Sequence, residues 1–487
     1  MKHYLPVFSV LGGVVMLFAL TMLVPLGFAW FGNDAGLYAY DAAILITLAV
    51  GAALFFGCRG RGHRRELQPR DGFLLVTLVW AVLPAFGALP LMFHLPGLSF
   101  TDAYFEAVSG LSTTGATVLT GLDKLPTSIN VWRCFMVLIG GMGILVLAVA
   151  ILPLLGVGGS QIFKAETPGP MKDEKLTPRI AETARGLWAV YFSIALVCML
   201  AFRAAGMGWA DAFMHMCSVM GLGGFAAYDA SFGYFNSPLV EGVAIFFMLV
   251  AGINFALYFV AWRRRSLRGL WRDLEARAFL GLMAAAVLGI AVFLTAHGVY
   301  ATFPESLRHA AFSVVSIATT TGLTTVDYAQ WPIFAPVLML YLCSFATCAG
   351  STGGGIKMAR ALMLVKQARS ELTRIVHPRA VTPVTLGGAV VDPKVLQSVL
   401  AFMLVYGGVV TAATLALLAS GLDVISAFTA VVACISNTGP GLGQVGPASN
   451  YQGLSDFQTW VCTLTMLLGR LELFAVLVLF TPAFWRK

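Results

Sequence analysis

The sequence predicts an all-α polytopic membrane protein built from four internal repeats preceded by two further helices. Three observations lead there: an apolar composition, apolar runs of bilayer length along the whole chain, and four loops of one design at matched positions. Of the 487 residues, 59% are hydrophobic and 11% charged, and the mean hydropathy is +0.84. Soluble domains carry about 25% charged residues, so lipid must be the solvent for most of this chain. Apolar runs long enough to cross a bilayer, roughly 17–25 residues each, lie at about 5–30, 41–58, 72–94, 131–156, 186–205, 238–262, 278–298, 333–349 (continuing after a break to about 370), 393–420 and 456–482. The first exceeds the roughly 7–15 apolar residues of a signal peptide and no small-residue cleavage site follows it, so it reads as a retained span.

The net charge of +8 does not point to nucleic acid, because the basic residues are clustered. They gather in Arg59–Arg70, Lys164–Arg185, Arg263–Arg277, Lys357–Lys394 and the Arg486–Lys487 tail, and none lies between Arg203 and Arg263 or between Lys394 and Arg470. This alternation is the positive-inside pattern, which places the basic loops and both termini in the cytoplasm. The eight cysteines form no CxxC pair and suit packing. The histidines show no metal-ligand spacing, and His215 and His309 read as hydrogen-bonded side chains.

Four connections on the other side share one design: an acidic start, a short semi-apolar helix, and a small-residue stretch containing glycine. They are Thr101–Gly121, Ala210–Ser231, Pro304–Pro332 and Leu422–Gln444. An aromatic stands ten residues before the central glycine in three of them (Phe105 to Gly115, Phe213 to Gly223, Phe312 to Gly322) and eleven before it in the fourth (Phe428 to Gly439). One such loop would read as an amphipathic surface turn; four at matched positions are an internal repeat. The division expected is 1–70 for two N-terminal transmembrane helices, then repeats at 71–165, 166–277, 278–380 and 381–487, each a span, pore helix, filter loop and span around one central pore.

A helix of about ten residues is too short to span, so each unit must enter the membrane and return. Its irregular backbone would strand N–H and C=O groups at several kcal/mol each in lipid, and is tolerated only against protein or a water-filled path. Four glycine loops about one axis therefore indicate an ion path lined by carbonyl oxygens, since glycine accepts the dihedrals that turn successive carbonyls to one side. Such rings replace the hydration shell of a large monovalent cation. The helices would aim their partly negative C-terminal ends at the ion, and Asp102, Asp211 and Asp423 suit their N-termini. Asp123, Asp229 and Asp327 follow the first three loops, as cation-enriching groups at the outer mouth or as solvated loop residues.

The stretch CAGSTGGGIKMAR, Cys348–Arg360, looks at first like a phosphate-binding loop. That motif needs GxxxxGK[ST] between a strand and a helix. Here Lys357 comes one residue late, Met358 replaces the hydroxyl, and an apolar span precedes. No nucleotide is expected on this chain. Consecutive glycines weaken a helix by about 1 kcal/mol each relative to alanine, so Gly353–Gly355 should unwind the span, and Lys357 should mark its restart with its ammonium snorkelling to the inner interface.

With SGLSTTGATVL (Ser109–Leu119), GLGGFAAYDAS (Gly221–Ser231), TTTGLTTVDYAQWP (Thr319–Pro332), AGSTGGGIK (Ala349–Lys357) and NTGPGLG (Asn437–Gly443) in view, the chain resembles the TrkH/TrkG-type potassium uptake proteins. Their superfamily includes KtrB and the plant and fungal HKT/Trk transporters. The resemblance covers essentially the full length, and the two additional N-terminal spans match the TrkH type rather than the four-repeat core of KtrB. It implies a selectivity filter around Gly115, Gly223, Gly322 and Gly439. The substrate ion K⁺ would be held there by backbone carbonyls at those glycines and at Thr113, Thr114, Gly221, Leu222, Thr320, Thr321, Asn437 and Thr438. In related plant transporters serine at the first glycine accompanies sodium preference, so Gly115 implies potassium. Met220-Gly221-Leu222 and Thr438 depart from the usual family pattern.

The resemblance also implies that Gly350, Ser351, Thr352, Gly353, Gly354, Gly355 and Lys357 form an intramembrane gating loop. It implies that Arg470, an arginine inside the last span, contacts this loop below the filter; the alternative is an ion pair with Glu472, although residues i and i+2 do not share a helix face. Further implications are a homodimer in the bacterial inner membrane and a TrkA-like, nucleotide-binding cytoplasmic regulatory subunit, with no nucleic-acid partner. Ions would be drawn inward by the membrane potential, worth about 2.3 kcal/mol per charge per 100 mV. The rivals are a Na⁺- or H⁺-coupled K⁺ symporter, for which Glu106 and Glu241 are the candidate carboxylates, and a sodium pore. No clustered acid, base or metal set is visible on the spans, so the chain does not read as an enzyme.

Overall fold

The structure, a computed structural model, describes residues 4–58, 69–146 and 180–486. The far end of the apolar run 131–156 and most of the basic clusters Arg59–Arg70 and Lys164–Arg185 lie outside the described residues. Among the described residues six helices are long and apolar enough to cross a membrane: Leu5–Gly32, Leu37–Cys58, Arg70–His94, Ala184–Ala204, Leu274–Ala296 and Pro393–Ala419. The first two pack backbone to backbone. A Cβ on Gly12 would fall 2.5 Å from the Phe55 nitrogen, and one on Gly51 would fall 2.7 Å from Met16 Cγ. Small residues at such crossings are how helices associate in lipid, where apolar burial supplies no drive.

Four shorter helices follow spans: Phe100–Leu111, Trp209–Gly221, Phe303–Ala318 and Val424–Ile435. Their starts are explained by their sequences. Ser99 Oγ accepts from the Asp102 amide at 3.0 Å, Thr302 Oγ1 from the Glu305 amide at 3.4 Å, and the Asp423 carboxylate from the Ser426 amide at 3.0 Å. Asp211 stands in the first turn of the second helix, after Gly208. Caps satisfy otherwise orphaned N–H groups, and the acids complement the helix dipole.

Two apolar runs read as continuous spans are broken. The run 238–262 is two helices, Pro238–Ala251 and Phe255–Arg264, bent by 88°, and the run 456–482 is Asp456–Arg470 and Phe474–Phe480, bent by 105°. At the first break the Asn254 side chain caps the new helix, accepting from the Ala256 amide at 2.9 Å. At the second, Glu472 and Leu473 have φ of 53° and 38°, left-handed values that end a helix. Hydropathy stays high across both breaks because it registers side-chain polarity and not chain direction. The expected break near Gly353–Gly355 is present: Phe334–Phe345 ends, and Met358–Val376 starts after the intervening loop. The corresponding helix of the first repeat, Thr127–Val146, is unbroken as far as it is described. Among the described residues the strands are those of one two-stranded hairpin, Thr385–Leu386 with Ala389–Val390.

The helices that follow the first and fourth short helices touch their C-terminal ends directly. A Cβ on Gly140 would fall 1.9 Å from the Leu111 carbonyl oxygen, and one on Gly469 would fall 2.0 Å from that of Ile435. Gly469→Ala therefore should lower the thermal midpoint in detergent by an amount matching about 1–3 kcal/mol, the usual cost of overpacking. Gly281→Ala, with no atom within 4 Å of the new Cβ, should leave it unchanged.

Candidate functional site

The four glycine loops meet in a closed ring. A Cβ on Gly115 would lie 2.0 Å from the Gly224 nitrogen; on Gly224, 3.0 Å from the Thr321 oxygen; on Gly322, 1.9 Å from the Thr438 oxygen; and on Gly439, 2.6 Å from the Thr114 oxygen. Each loop thus abuts the next, first to second to third to fourth and back to the first. No side chain fits at Gly115, Gly322 or Gly439 unless the ring opens, and at Gly224 the Thr321 and Gly322 carbonyls would have to give by a few tenths of an ångström. Gly115, Gly322 and Gly439 also have φ of 79°, 81° and 95°, where only glycine is unstrained.

The same hydrogen bonds fix the register of every loop. The amides of Thr113, Leu222, Thr320 and Asn437 donate to Gly110, Val219, Ile317 and Cys434, and all four residues have left-handed φ. The next amides, of Thr114, Gly223, Thr321 and Thr438, donate to Ser109, Ser218, Ser316 and Ala433. Gly224, not Gly223, is therefore the counterpart of Gly115, Gly322 and Gly439, and Gly221 lies one residue before the equivalent stretch. The aromatic spacing misled by one residue: Phe105 and Phe312 are fully buried at equivalent places, where the second helix has Met214, while Phe428 is exposed. Gly221 and Gly223 stand where the first and third loops carry paired hydroxyls, Ser112 with Thr114 and Thr319 with Thr321, each 2.7 Å apart. The reason is local: a Cβ on either glycine would fall 2.6 Å from Val137 Cγ1.

Within the ring, the residues Thr113, Thr114, Leu222, Gly223, Thr320, Thr321, Asn437 and Thr438 are all buried. Among the described residues no N–H or O–H donates to any of their eight carbonyl oxygens. Buried carbonyls without partners are uncommon in folded proteins, and eight in one ring call for a reason.

Bracing comes from behind. Ser218 Oγ and Ser316 Oγ donate to the Phe225 and Leu323 carbonyls at 2.5 and 2.6 Å. Tyr451 Oη donates to the Gly439 carbonyl at 2.8 Å, and Asn437 Nδ2 donates to Thr114 Oγ1 at 3.0 Å, joining fourth loop to first. The strongest brace was not foreseen. Arg133, fully buried in Thr127–Val146, donates from Nε to Glu106 Oε1 at 2.8 Å, and from Nη1 to Asn130 Oδ1 and the Ala226 carbonyl at 3.2 and 3.1 Å. Glu106 in turn accepts from Thr117 Oγ1 and the Val118 amide. First loop, second loop and helix are thereby tied through one desolvated ion pair. Glu241 is likewise paired, with Arg308 of the third short helix at 2.6 Å.

On the side where the chain leaves the loops, the ring opens into a depression lined by Thr117, Tyr228, Asp229, Thr324, Pro447 and Asn450. Of the three acids expected at this mouth, Asp229 lines it. Its two oxygens accept from the Gly121 and Leu122 amides at 3.0 Å each, while Asp123 accepts from the Asp229 amide at 3.1 Å. Asp327 caps the turn at Ala329 and binds Gln330. All three acids thus shape loops.

On the other side, the loop from Gly350 to Lys357 covers the ring. Thr352 Oγ1 donates to the Met220 carbonyl at 3.0 Å, and the Gly354 amide donates to Thr320 Oγ1 at 2.9 Å. A Cβ on Gly354 would lie 2.0 Å from the Ser436 oxygen, and one on Gly353 3.2 Å from that of Thr319. The three helix breaks converge here. From the second repeat, the Phe255 amide donates to the Gly350 carbonyl at 3.0 Å. From the fourth, Arg470 donates through Nη1 to the Thr352 carbonyl at 3.0 Å and through Nη2 to the Gly140 carbonyl at 3.3 Å. Glu472 pairs with Arg360 at 3.0 Å rather than with Arg470. Lys357 does begin the next helix, but its ammonium turns back to donate to the Gly353 carbonyl instead of snorkelling outward. Ser351 Oγ donates to Cys348, and Gly355 has φ of 77°.

A fold of bilayer-length helices enclosing a ring of undonated carbonyls defines a multi-pass membrane protein of the cation-transporting kind. Residues 39–487 match the family described as TrkH: Cation transport protein, and the chain belongs to that family. It is 45% identical over 486 residues, all of both chains, to the Trk system potassium uptake protein TrkH of Escherichia coli strain K12. To the TrkG protein of the same organism it is 39% identical over 488 residues, covering 100% of this chain and 99% of the relative. The crystal structure of the potassium transporter TrkH from Vibrio parahaemolyticus matches over 100% of both chains, with a TM-score of 0.91 and 42% identity.

Proposed function

We propose that this chain is a potassium uptake pore of the bacterial inner membrane. Ions pass along the axis of the four-loop ring, and the Gly350–Lys357 loop gates them. The observation that carries this reading is the set of eight buried carbonyls to which no group among the described residues donates. A dehydrated monovalent cation is the partner such a ring suits, and relatives named as potassium uptake proteins make potassium the favoured ion. Ligands are the carbonyls of Thr113, Thr114, Leu222, Gly223, Thr320, Thr321, Asn437 and Thr438, bounded by Gly115, Gly224, Gly322 and Gly439. Matching loop hydrogen bonds support the division into four repeats.

The reading of the loop as a gate rests on its position across the ring and its anchorage by Arg470. A guanidinium there opposes cations by charge and holds the loop by its carbonyls. The relatives' designation as a Trk system supports a multi-component assembly; the assembly inferred has a TrkA-like nucleotide-binding subunit acting on the basic side and a homodimer as the pore unit. Coupled symport would call for an unpaired carboxylate within the spans, whereas Glu106 and Glu241 are both ion-paired.

The test is ⁸⁶Rb⁺ uptake into proteoliposomes. Potassium should compete and sodium should not, and a pH gradient at zero voltage should drive no accumulation. Proton-driven accumulation would overturn the pore reading. Arg470→Ala should raise uptake by the purified chain severalfold, with competition unchanged; lower uptake from folded protein would contradict the role given to Arg470.

A further inference from the structure

Glu275 stands at the start of the span Leu274–Ala296, two residues after its N-cap Asp273, and is only 5% exposed. One of its oxygens, Oε1, accepts from the Ala349 amide at 2.7 Å and from the Ala359 amide at 3.0 Å. These two amides flank the loop, one just before Gly350 and one just after Met358. The Ala359 amide belongs to the first turn of Met358–Val376, where N–H groups have no acceptor within the helix. The N-cap residue there, Lys357, offers no side-chain acceptor. Glu275 supplies from another span the cap that this sequence lacks, with the negative charge that a helix N-terminus favours.

We propose that Glu275 is a positioning residue for the gate: a single carboxylate that fastens both ends of the loop and biases it towards the ring. The proposal rests on the gating reading above. For the loop to withdraw as a unit, at least one of two charge-assisted hydrogen bonds must break, and these are the stronger class of hydrogen bond. Arg470 and Glu275 divide the task. Arg470 holds the middle of the loop at Thr352, while Glu275 holds its base, away from the ring. Weakening the base should therefore change how often the loop withdraws without changing which ion the ring accepts.

The test compares ⁸⁶Rb⁺ flux through purified full-length chain in liposomes for wild type, Glu275→Gln and a deletion of Gly353–Gly355, with K⁺ and Na⁺ competition measured in each. Glu275→Gln keeps the shape and an acceptor oxygen but removes the charge. It should raise flux about tenfold with the competition pattern and thermal midpoint unchanged, a combination that a merely structural role would not give. If the deletion raises flux and Glu275→Gln does not, the latch is wrong and the gate stands. If neither raises flux, the gate reading falls and the latch with it. Should Glu275→Gln fail to fold, Glu275→Asp, one methylene too short to reach both amides, carries the same prediction and the same refutation.

Discussion

Gly115→Ser is expected to lower discrimination between K⁺ and Na⁺ at least tenfold, read from reversal potentials in planar bilayers. Two effects combine. At φ 79° a serine is strained by about 1–3 kcal/mol. Its Cβ would also sit 2.0 Å from the Gly224 nitrogen, so the second loop must retreat. Because each loop rests on the next, that retreat is passed to the carbonyls facing it, and a wider ring fits potassium less well. A tenfold loss corresponds to about 1.4 kcal/mol, well within what either effect supplies. Gly121→Ala separates them: its φ is 67° but nothing lies within 4 Å of the new Cβ. Selectivity unchanged in Gly115→Ser, or lost equally in Gly121→Ala, would contradict the contact as the cause.

Glu106→Ala should nearly abolish folded, active protein. It would leave the Arg133 guanidinium fully buried without its counter-charge, an arrangement that costs about 3–5 kcal/mol. That is a large fraction of the roughly 5–15 kcal/mol by which small soluble proteins are stable. The Thr117 hydroxyl and Val118 amide would lose their acceptor at the same time. Replacing both charges, as Glu106→Leu with Arg133→Met, should recover much of the thermal midpoint, since apolar replacements of buried pairs are often neutral or better. It should not recover selectivity, because the first and second loops would no longer be tied. A thermal scan alongside uptake reads both; a Glu106→Ala protein as stable as wild type would refute the brace.

Much of this was legible in the sequence because membrane chemistry leaves few alternatives. Ten apolar runs, four acid-started glycine loops and the run Gly353–Gly355 pointed to re-entrant units and one broken span. The breaks at Gly252–Asn254 and Leu471–Leu473 were not legible: Asn254 is a single polar residue in an apolar run, and Arg470 with Glu472 marks a charged spot in a span without signalling a change of chain direction. The register of the second loop was ambiguous because GLGG offers more than one glycine; only the hydrogen bonds to Ser218 and Val219 select Gly224. Arg133 could have been found. It interrupts the apolar stretch INVWRCFMVL as plainly as Arg470 interrupts TMLLGRLELF, and an intramembrane charge marks a partner or a function. Glu275 could not, because beside Arg272 and Arg277 it reads as an interfacial charge, and its two amide partners lie more than seventy residues away in sequence.

On the proposed reading the ion sits in the ring of carbonyls that receive no hydrogen bond among the described residues. The most direct measurement is anomalous scattering from crystals of the protein grown in Rb⁺ in place of K⁺. The peak should lie on the axis within the ring bounded by Gly115, Gly224, Gly322 and Gly439, and should vanish when Na⁺ replaces Rb⁺. Rubidium bound only elsewhere, or a ring equally occupied in Na⁺, would contradict the account.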